Sequence, residues 1–316
     1  MNDLSGKNIL VTGAGGFIGS AMVRTLVGFK ANVVSLVRSH SDTTQLEGST
    51  VHVGDVADYK FMCDIISMHE IEYIFHFAAN AIVRIAAKDP MNCYQSNVIG
   101  TVSILEAARN VGKCKKILVS SSDKAYGDHE KLPYTEDMAL QPKNTYDTSK
   151  ACADLVARSY AHNYNMPIIV TRCSNVYGPG DPNMSRIIPN SINRALQGNS
   201  PELYSDVSQM EREFIYIDDV IDACLLLIFS DNNTNGEAFN IGGSGPESVE
   251  NVVDKILSLM NSPLKTTIKD RDPTFKEIKR QYIDASKLNK FTGWVPKVNL
   301  NLGLLRTISW YKERFS

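Results

Sequence analysis

The residues Lys7-Asn8-Ile9-Leu10-Val11-Thr12 form a short apolar, β-branched run, and Gly13-Ala14-Gly15-Gly16-Phe17-Ile18-Gly19 follows before an apolar-periodic stretch that reaches Phe29. That order predicts a buried strand, a glycine turn and a helix. Glycines at 13, 16 and 19 permit a tight turn, a close approach of backbone to a phosphate group and close packing of helix on strand, with the anion at the positive helix end. A simple tight turn is the alternative for such a loop taken alone.

The rest of the chain extends the pattern. Apolar runs near 7–12, 32–37, 51–53, 72–77, 116–121 and 167–173 alternate with amphipathic segments. This predicts an α/β fold built on a doubly wound (Rossmann) parallel sheet. From Asn175 the texture changes to Pro179, Pro182, Pro189 and Pro201 with short helical stretches, which suggests a smaller C-terminal lobe over the carboxyl ends of the strands, where open α/β sheets bind ligands. Phe214 to Ile217 and Phe239-Asn240-Ile241 read as returns to the sheet. The expected division is therefore discontinuous: 1–174 with returns near 214–241 for the sheet domain, 175–213 and 242–316 for the substrate-binding lobe.

Composition narrows the partners. With 316 residues, 43% of them hydrophobic, the chain can bury a large core. A formal charge of −2 and no lysine or arginine block argue against nucleic acid or an anionic membrane. Cys63, Cys93, Cys114, Cys152, Cys173 and Cys224 include no C-x-x-C pair, so reduced thiols in a cytoplasmic protein are expected and no metal site is. Met1-Asn2-Asp3-Leu4-Ser5 lacks the features of an export signal, and no apolar run reaches membrane-spanning length.

Chemistry concentrates between Ser120 and Lys150. Ser120-Ser121-Ser122-Asp123-Lys124 closes an apolar strand, and Tyr146-Asp147-Thr148-Ser149-Lys150 follows. Tyrosine and lysine four apart on a helix share a face, where the ammonium can lower the phenol pKa and make Tyr146 a base near neutrality. Ser122 can share the hydroxyl that Tyr146 deprotonates.

These segments, with His76-Phe77-Ala78-Ala79, Asn97, Arg172-Cys173-Ser174-Asn175-Val176-Tyr177-Gly178-Pro179-Gly180 and Arg212-Glu213-Phe214-Ile215-Tyr216-Ile217-Asp218-Asp219-Val220, resemble the extended short-chain dehydrogenase/reductase family, the nucleotide-sugar epimerases and dehydratases, over nearly the whole chain. The resemblance implies a dinucleotide on Gly13, Gly16, Phe17, Ile18 and Gly19, on Arg38 and Ser39, on Asp55 and Val56, on Ala78 and Ala79, and against Tyr146 and Lys150. Val37 and Arg38 occupy the end of the second strand, where an acid would bind the ribose hydroxyl of NAD; the missing acid and present cation favour NADP, with NAD the alternative if Arg38 is a solvated loop charge. Asp55 equally suits a helix cap.

The reaction within the family turns on Asp123 and Lys124. In the shared step Tyr146 takes the proton of a sugar C4 hydroxyl as hydride leaves C4. A 4,6-dehydratase then needs a base at C5 and an acid at the C6 oxygen. Epimerases usually carry small or apolar residues after Ser122, whereas several dehydratases carry Asp and Glu; the Asp-Lys pair here resembles the CDP-glucose and some UDP-N-acetylglucosamine 4,6-dehydratases. That resemblance implies Asp123 as acid and Lys124 as base, although neighbouring Asp and Lys favour each other's charged forms unless burial overrides this. A structural ion pair is the alternative, and with it a 4-epimerase or 4-oxidase; a non-catalytic dinucleotide sensor is a third reading. For the substrate, the resemblance points to Asn175 and Arg212 at a diphosphate, with Arg271 and Arg186 as further guanidiniums, and to Asn97 as support for the active-site helix. A nucleoside-diphosphate sugar and a homodimer through the Tyr146 helix and the helix near 91–112 are likewise implied. His76, His129, Tyr126 and Ser248 are read as structural.

Overall fold

The computed structural model describes residues 4–207, 210–230, 234–270 and 277–315. Its strands are β1 (Asn8–Thr12), β2 (Asn32–Val37), β3 (Thr50–Val53), β4 (Tyr73–His76), β5 (Lys116–Ser122), β6 (Ile168–Cys173), β7 (Asn175–Tyr177), β8 (Glu202–Tyr204), β9 (Glu211–Tyr216), β10 (Ala238–Ile241), β11 (Pro246–Ser248), β12 (Thr267–Lys269) and β13 (Arg280–Gln281). The α-helices are α1 (Phe17–Gly28), α2 (Tyr59–Met68), α3 (Val83–Lys88), α4 (Pro90–Tyr94), α5 (Gly100–Val111), α6 (Thr145–Tyr164), α7 (Ile187–Leu196), α8 (Ile217–Ile228), α9 (Val249–Leu259), α10 (Ser286–Thr292) and α11 (Leu300–Phe315).

Seven parallel strands form the main sheet in the order β10-β6-β5-β4-β1-β2-β3. Successive side chains on each strand serve opposite faces, so both faces must be covered. Ile9, Val11, Val33, Phe75 and Leu118 join the cluster that includes α1 and α8; Leu10, Val34, Ile74, Ile117 and Val119 join the one that includes α2, α5 and α6. Side chains such as Ile9 and Leu10 have no exposed surface, and each contributes about 1.5–3 kcal/mol by leaving water. All six strands expected from the apolar runs are present, and Phe239–Ile241 enters the sheet beside β6.

Phe214 to Ile217 does not return to that sheet. Residues 211–216 are β9, which pairs with β7, β11 and β13 in a separate four-stranded sheet, and Ile217 begins α8. This small sheet lies past the carboxyl end of β6, and β8 and β12 form a further two-stranded sheet. The order of the main sheet reverses between β1 and β4, which opens a crevice at their carboxyl ends. Among the described residues no helix is long and apolar enough to cross a membrane, and all six cysteines are free thiols.

Candidate active site

The glycine turn is built for close approach. Gly13 adopts φ +68°, and a Cβ there would stand 2.7 Å from Ala78 N. A Cβ on Gly19 would stand 2.1 Å from Gly13 O, so α1 packs against the turn only because Gly19 has no side chain. Gly16 caps α1 with no side-chain hydrogen bond, and the first turn carries no acid. The helix end therefore presents free amides and an uncompensated positive pole, which fits a dinucleotide pyrophosphate. Phe17 is buried and Ile18 half-buried on the first turn, and Ala78 borders Gly13 from beyond β4, followed by the half-buried Ala79.

Arg38 and Ser39 are exposed at the end of β2, and the Arg38 amide donates to Ser41 Oγ at 3.2 Å. The loop that follows brings Asp42 and Gln45 into a small cavity with Gly15, Gly16, Phe17, Ser20, Gly180 and Pro182. An acid thus stands on the rim that the sequence of β2 left without one. Asp55 Oδ1 accepts the Ala57 amide at 2.9 Å, whereas the cap of α2 is Asp58; Val56 is buried.

At the end of β5, Ser122 caps a 3₁₀ turn over Asp123–Tyr126 by accepting the Lys124 amide at 3.2 Å. Ser122 Oγ donates to Asp123 Oδ1 at 3.0 Å and is among the groups that favour the ionised form of Tyr146. Tyr146 and Lys150 lie one turn apart on α6, both buried. Lys150 Nζ donates to Ser120 O at 2.7 Å, and burial draws its pKa down to about 8 against the pull of Cys173 and Cys93. Burial pushes the Tyr146 phenol up, and the cation that opposes this most is Arg186 rather than the expected Lys150. Lys150 is turned into the sheet end, toward the Ser120 carbonyl.

Asp123 is 2% exposed, and burial raises its carboxyl to about 6 even though Lys124, Ser122 and Arg212 favour the charged form. Its Oδ2 is buried without a partner. Burial thus moves the carboxyl toward its acid form. Lys124 is half-buried and donates to Gln281 Oε1 at 3.3 Å.

Asn175 Nδ2 donates to Glu213 O at 3.0 Å. Arg212, 5% exposed, donates to Glu211 O and Lys279 O at 2.9 Å and to Ile278 O at 2.5 Å, and pairs with Glu277 at 3.2 Å. Arg186 pairs with Asp181 at 2.9 Å across the Phe17 ring. Arg271 lies outside the described residues. Asn97 faces no substrate space: it sits in a π-helical turn, Gln95–Ile99, accepts the Asn80 amide at 2.6 Å and donates to Asn80 O at 3.2 Å and Ser149 Oγ at 2.8 Å. Its amide ties the 78–80 loop to α6.

His76 is buried between Thr12 and Thr101, and burial takes its pKa to about 3, so it stays neutral. Tyr126 is fully buried, accepts from Arg172 at 2.9 Å and donates to Asn240 at 2.7 Å. Ser248 caps α9. Three buried polar residues beside the site were not singled out from sequence. Asp147 has an unpartnered Oδ1 and a pKa raised by burial. Glu213 accepts the amides of Ile283 and Gly245, and burial raises it to about 7. Gln281 is the third. Asp147 and Glu213 fall inside recognised motifs, yet nothing in those motifs says they are buried; Gln281 carries no sequence signal at all.

A doubly wound parallel sheet with a dinucleotide-fitting glycine turn and a Ser122–Tyr146–Lys150 group at the carboxyl ends defines an NAD(P)-binding enzyme of the extended short-chain dehydrogenase/reductase class. The family model described as GDP-mannose 4,6 dehydratase matches residues 10–307, and the chain belongs to that family. Its sequence is 30% identical over 341 residues to a dTDP-glucose 4,6-dehydratase of Shigella flexneri, with 96% of this chain and 92% of the relative covered. The solved dTDP-glucose 4,6-dehydratase of Streptomyces venezuelae, determined with NAD bound, superposes with a TM-score of 0.88 at 28% identity, covering 97% of each chain. A UDP-glucose 4-epimerase of Thermotoga maritima, determined with UDP-glucose, reaches a TM-score of 0.91 at 29% identity, covering 98% of this chain and 100% of the other.

Proposed function

We propose that the protein removes water from a nucleoside-diphosphate hexose to give its 4-keto-6-deoxy form. The observation that carries this reading is Asp123: a carboxyl at the end of β5, bonded to the serine of the Tyr146 group and held by burial in reach of its protonated form at neutral pH. A bound NAD(P) supplies the acceptor and donor for hydride, held by the turn at Gly13–Gly19 and by the residues around Arg38, Asp55 and Ala78. Ser122 and Tyr146 hold the C4 hydroxyl and take its proton. Once C4 is a ketone the C5 proton is acidified, and Lys124 removes it while Asp123 protonates the departing C6 oxygen; return of the hydride to C6 and of the proton from Lys124 to C5 would give the 4-keto-6-deoxy sugar. Arg212, Asn175 and Arg186 bind the diphosphate, with Arg271 as a further candidate. The strands of the main sheet hold the dinucleotide, and the segments 175–213 and 242–316 hold the sugar nucleotide.

The neighbouring 4-epimerase structures make epimerisation the second reading. Replacing both Asp123 and Lys124 by alanine discriminates: a dehydratase loses turnover, whereas an epimerase keeps most of it. Arg38 at the end of β2 supports NADP, and Asp42 on the same rim weighs toward NAD; tighter binding of NADP that is lost in Arg38→Ala supports the first, and preference for NAD in the unaltered protein refutes it. A homodimer fits the exposed Met91, Ile99 and Leu155 on the helices around α4–α6, and light scattering tests the assembly.

A further inference from the structure

Lys124 is a poor base unless something fixes where its amine points, because its chain has four rotatable bonds and the pocket around it is rich in carboxyl groups. Asp123 lies next to it, Asp147 faces it from α6, and both have a buried oxygen without a partner. Glu277 acts on Asp147 from the segment before β13, and Arg212 acts on Asp123 from β9. Left to these charges, the amine would fold back onto a carboxylate. Its hydrogen bond instead runs to Gln281 Oε1 at 3.3 Å, across 157 residues of sequence and from the main sheet to the small one.

Gln281 is an unusual residue to find there. It has no exposed surface, and its Nε2 is buried with no partner. Burying an unpaired amide is unfavourable, and an apolar side chain of the same shape would avoid the cost. Gln281 also stands in register with Arg212. The Arg212 guanidinium clasps the carbonyls of Ile278 and Lys279 and pairs with Glu277, the residues that lead into β13.

We propose that Gln281 is the positioning residue of Lys124: its amide oxygen holds the amine away from Asp123 and Asp147, and its place on β13 ties that hold to the Arg212 end of the substrate site. This rests on the dehydratase reading, in which Lys124 removes the C5 proton.

The test compares Gln281→Met and Gln281→Glu with the unaltered protein, each checked for an unchanged melting profile. Methionine keeps the shape and removes the acceptor; the expected result is at least a tenfold fall in kcat for water loss, with KM for the nucleotide sugar within twofold. Glutamate keeps an acceptor but adds a charge that favours the ammonium form, so the acidic limb of the kcat profile moves to higher pH. An independent readout needs no turnover: acylation of Lys124 by a water-soluble amine reagent across pH, quantified by peptide mass spectrometry, midpoint raised in Gln281→Glu and rate raised in Gln281→Met. If the unaltered protein loses water while both variants keep its kcat, pH profile and labelling, the proposal is overturned. If the unaltered protein loses no water, the dehydratase reading fails instead, and the labelling still decides whether Gln281 holds the amine. Should Gln281→Met not fold, Gln281→Glu alone decides through its pH profile and labelling.

Discussion

Asp123 is the group whose titration should be visible in the rate. An ordinary aspartate with a pKa of 3.8 is protonated about once in 1,600 molecules at pH 7, whereas one raised to about 6 is protonated about once in 11. Burial therefore increases the available acid at pH 7 on the order of 150-fold, which is a little under 3 kcal/mol in the population of the reactive form. Between pH 6 and pH 8 that population falls from about one half to about one in 100, so kcat for water loss, divided by the neutral fraction of Lys124 read from its acylation across pH, should fall roughly 50-fold over the same range. Asp123→Asn keeps the size of the side chain and can still accept from Ser122, but cannot give up a proton to the C6 oxygen. It should lower kcat by about 10²–10⁴ and flatten that alkaline limb, while oxidation at C4 persists. Initial rates of water loss, followed by mass spectrometry from pH 5.5 to 9 for both proteins, measure this. A limb that survives in Asp123→Asn, or a midpoint near 4 in the unaltered protein, would refute the assignment.

Other expectations follow from burial and close contact. In Gly19→Ala the added methyl meets Gly13 O at 2.1 Å; the strain should cost about 1–3 kcal/mol and displace the turn, read as a lower melting temperature together with weakened dinucleotide binding in a fluorescence titration. Arg172 has no exposed surface and meets Asp154 through Nε at 2.8 Å and Nη2 at 3.0 Å. Asp154→Ala would strand that guanidinium and should destabilise the protein by about 3–5 kcal/mol in denaturant unfolding. Glu213, raised from 4.5 to about 7, gives a pH dependence of definite sign. Its carboxyl is protonated in the folded chain while it ionises in the unfolded one, so stability is full below about 4.5 and declines as pH rises to about 7, by up to about 3 kcal/mol. Denaturation midpoints that stay level from pH 4.5 to 7.5 would contradict this.

The sheet was legible because strands buried on both faces must be almost wholly apolar, and runs such as Ile9-Leu10-Val11 have no other reading in a chain of this pattern. The glycine turn was legible for a steric reason that the distances at Gly13 and Gly19 make explicit. Phe214 to Ile217 was misplaced because an apolar run announces a strand without saying which sheet it joins; β9 is largely buried, as β6 is throughout, but belongs with β7, β11 and β13. The cation acting on Tyr146 was misjudged for a related reason. Spacing along a helix fixes which residues share a face, but the Lys150 amine reaches the Ser120 carbonyl, and Arg186 arrives from a distant loop. Asp42 and Gln281 were invisible because their significance depends on where loops of other elements come to rest. Asn97 was expected to support the active-site helix, but its partners, Asn80 and Ser149, could not be named from sequence.

The most direct test of the central claim is the mass of a sugar nucleotide after incubation with the purified protein. CDP-, GDP-, UDP- and dTDP-linked glucose, mannose and N-acetylglucosamine are offered in turn. The dehydratase account predicts that one of them loses a single water with no net consumption of cofactor. An unchanged mass with an inverted centre at C4 would contradict it, and would leave Asp123 and Lys124 as a buried structural pair.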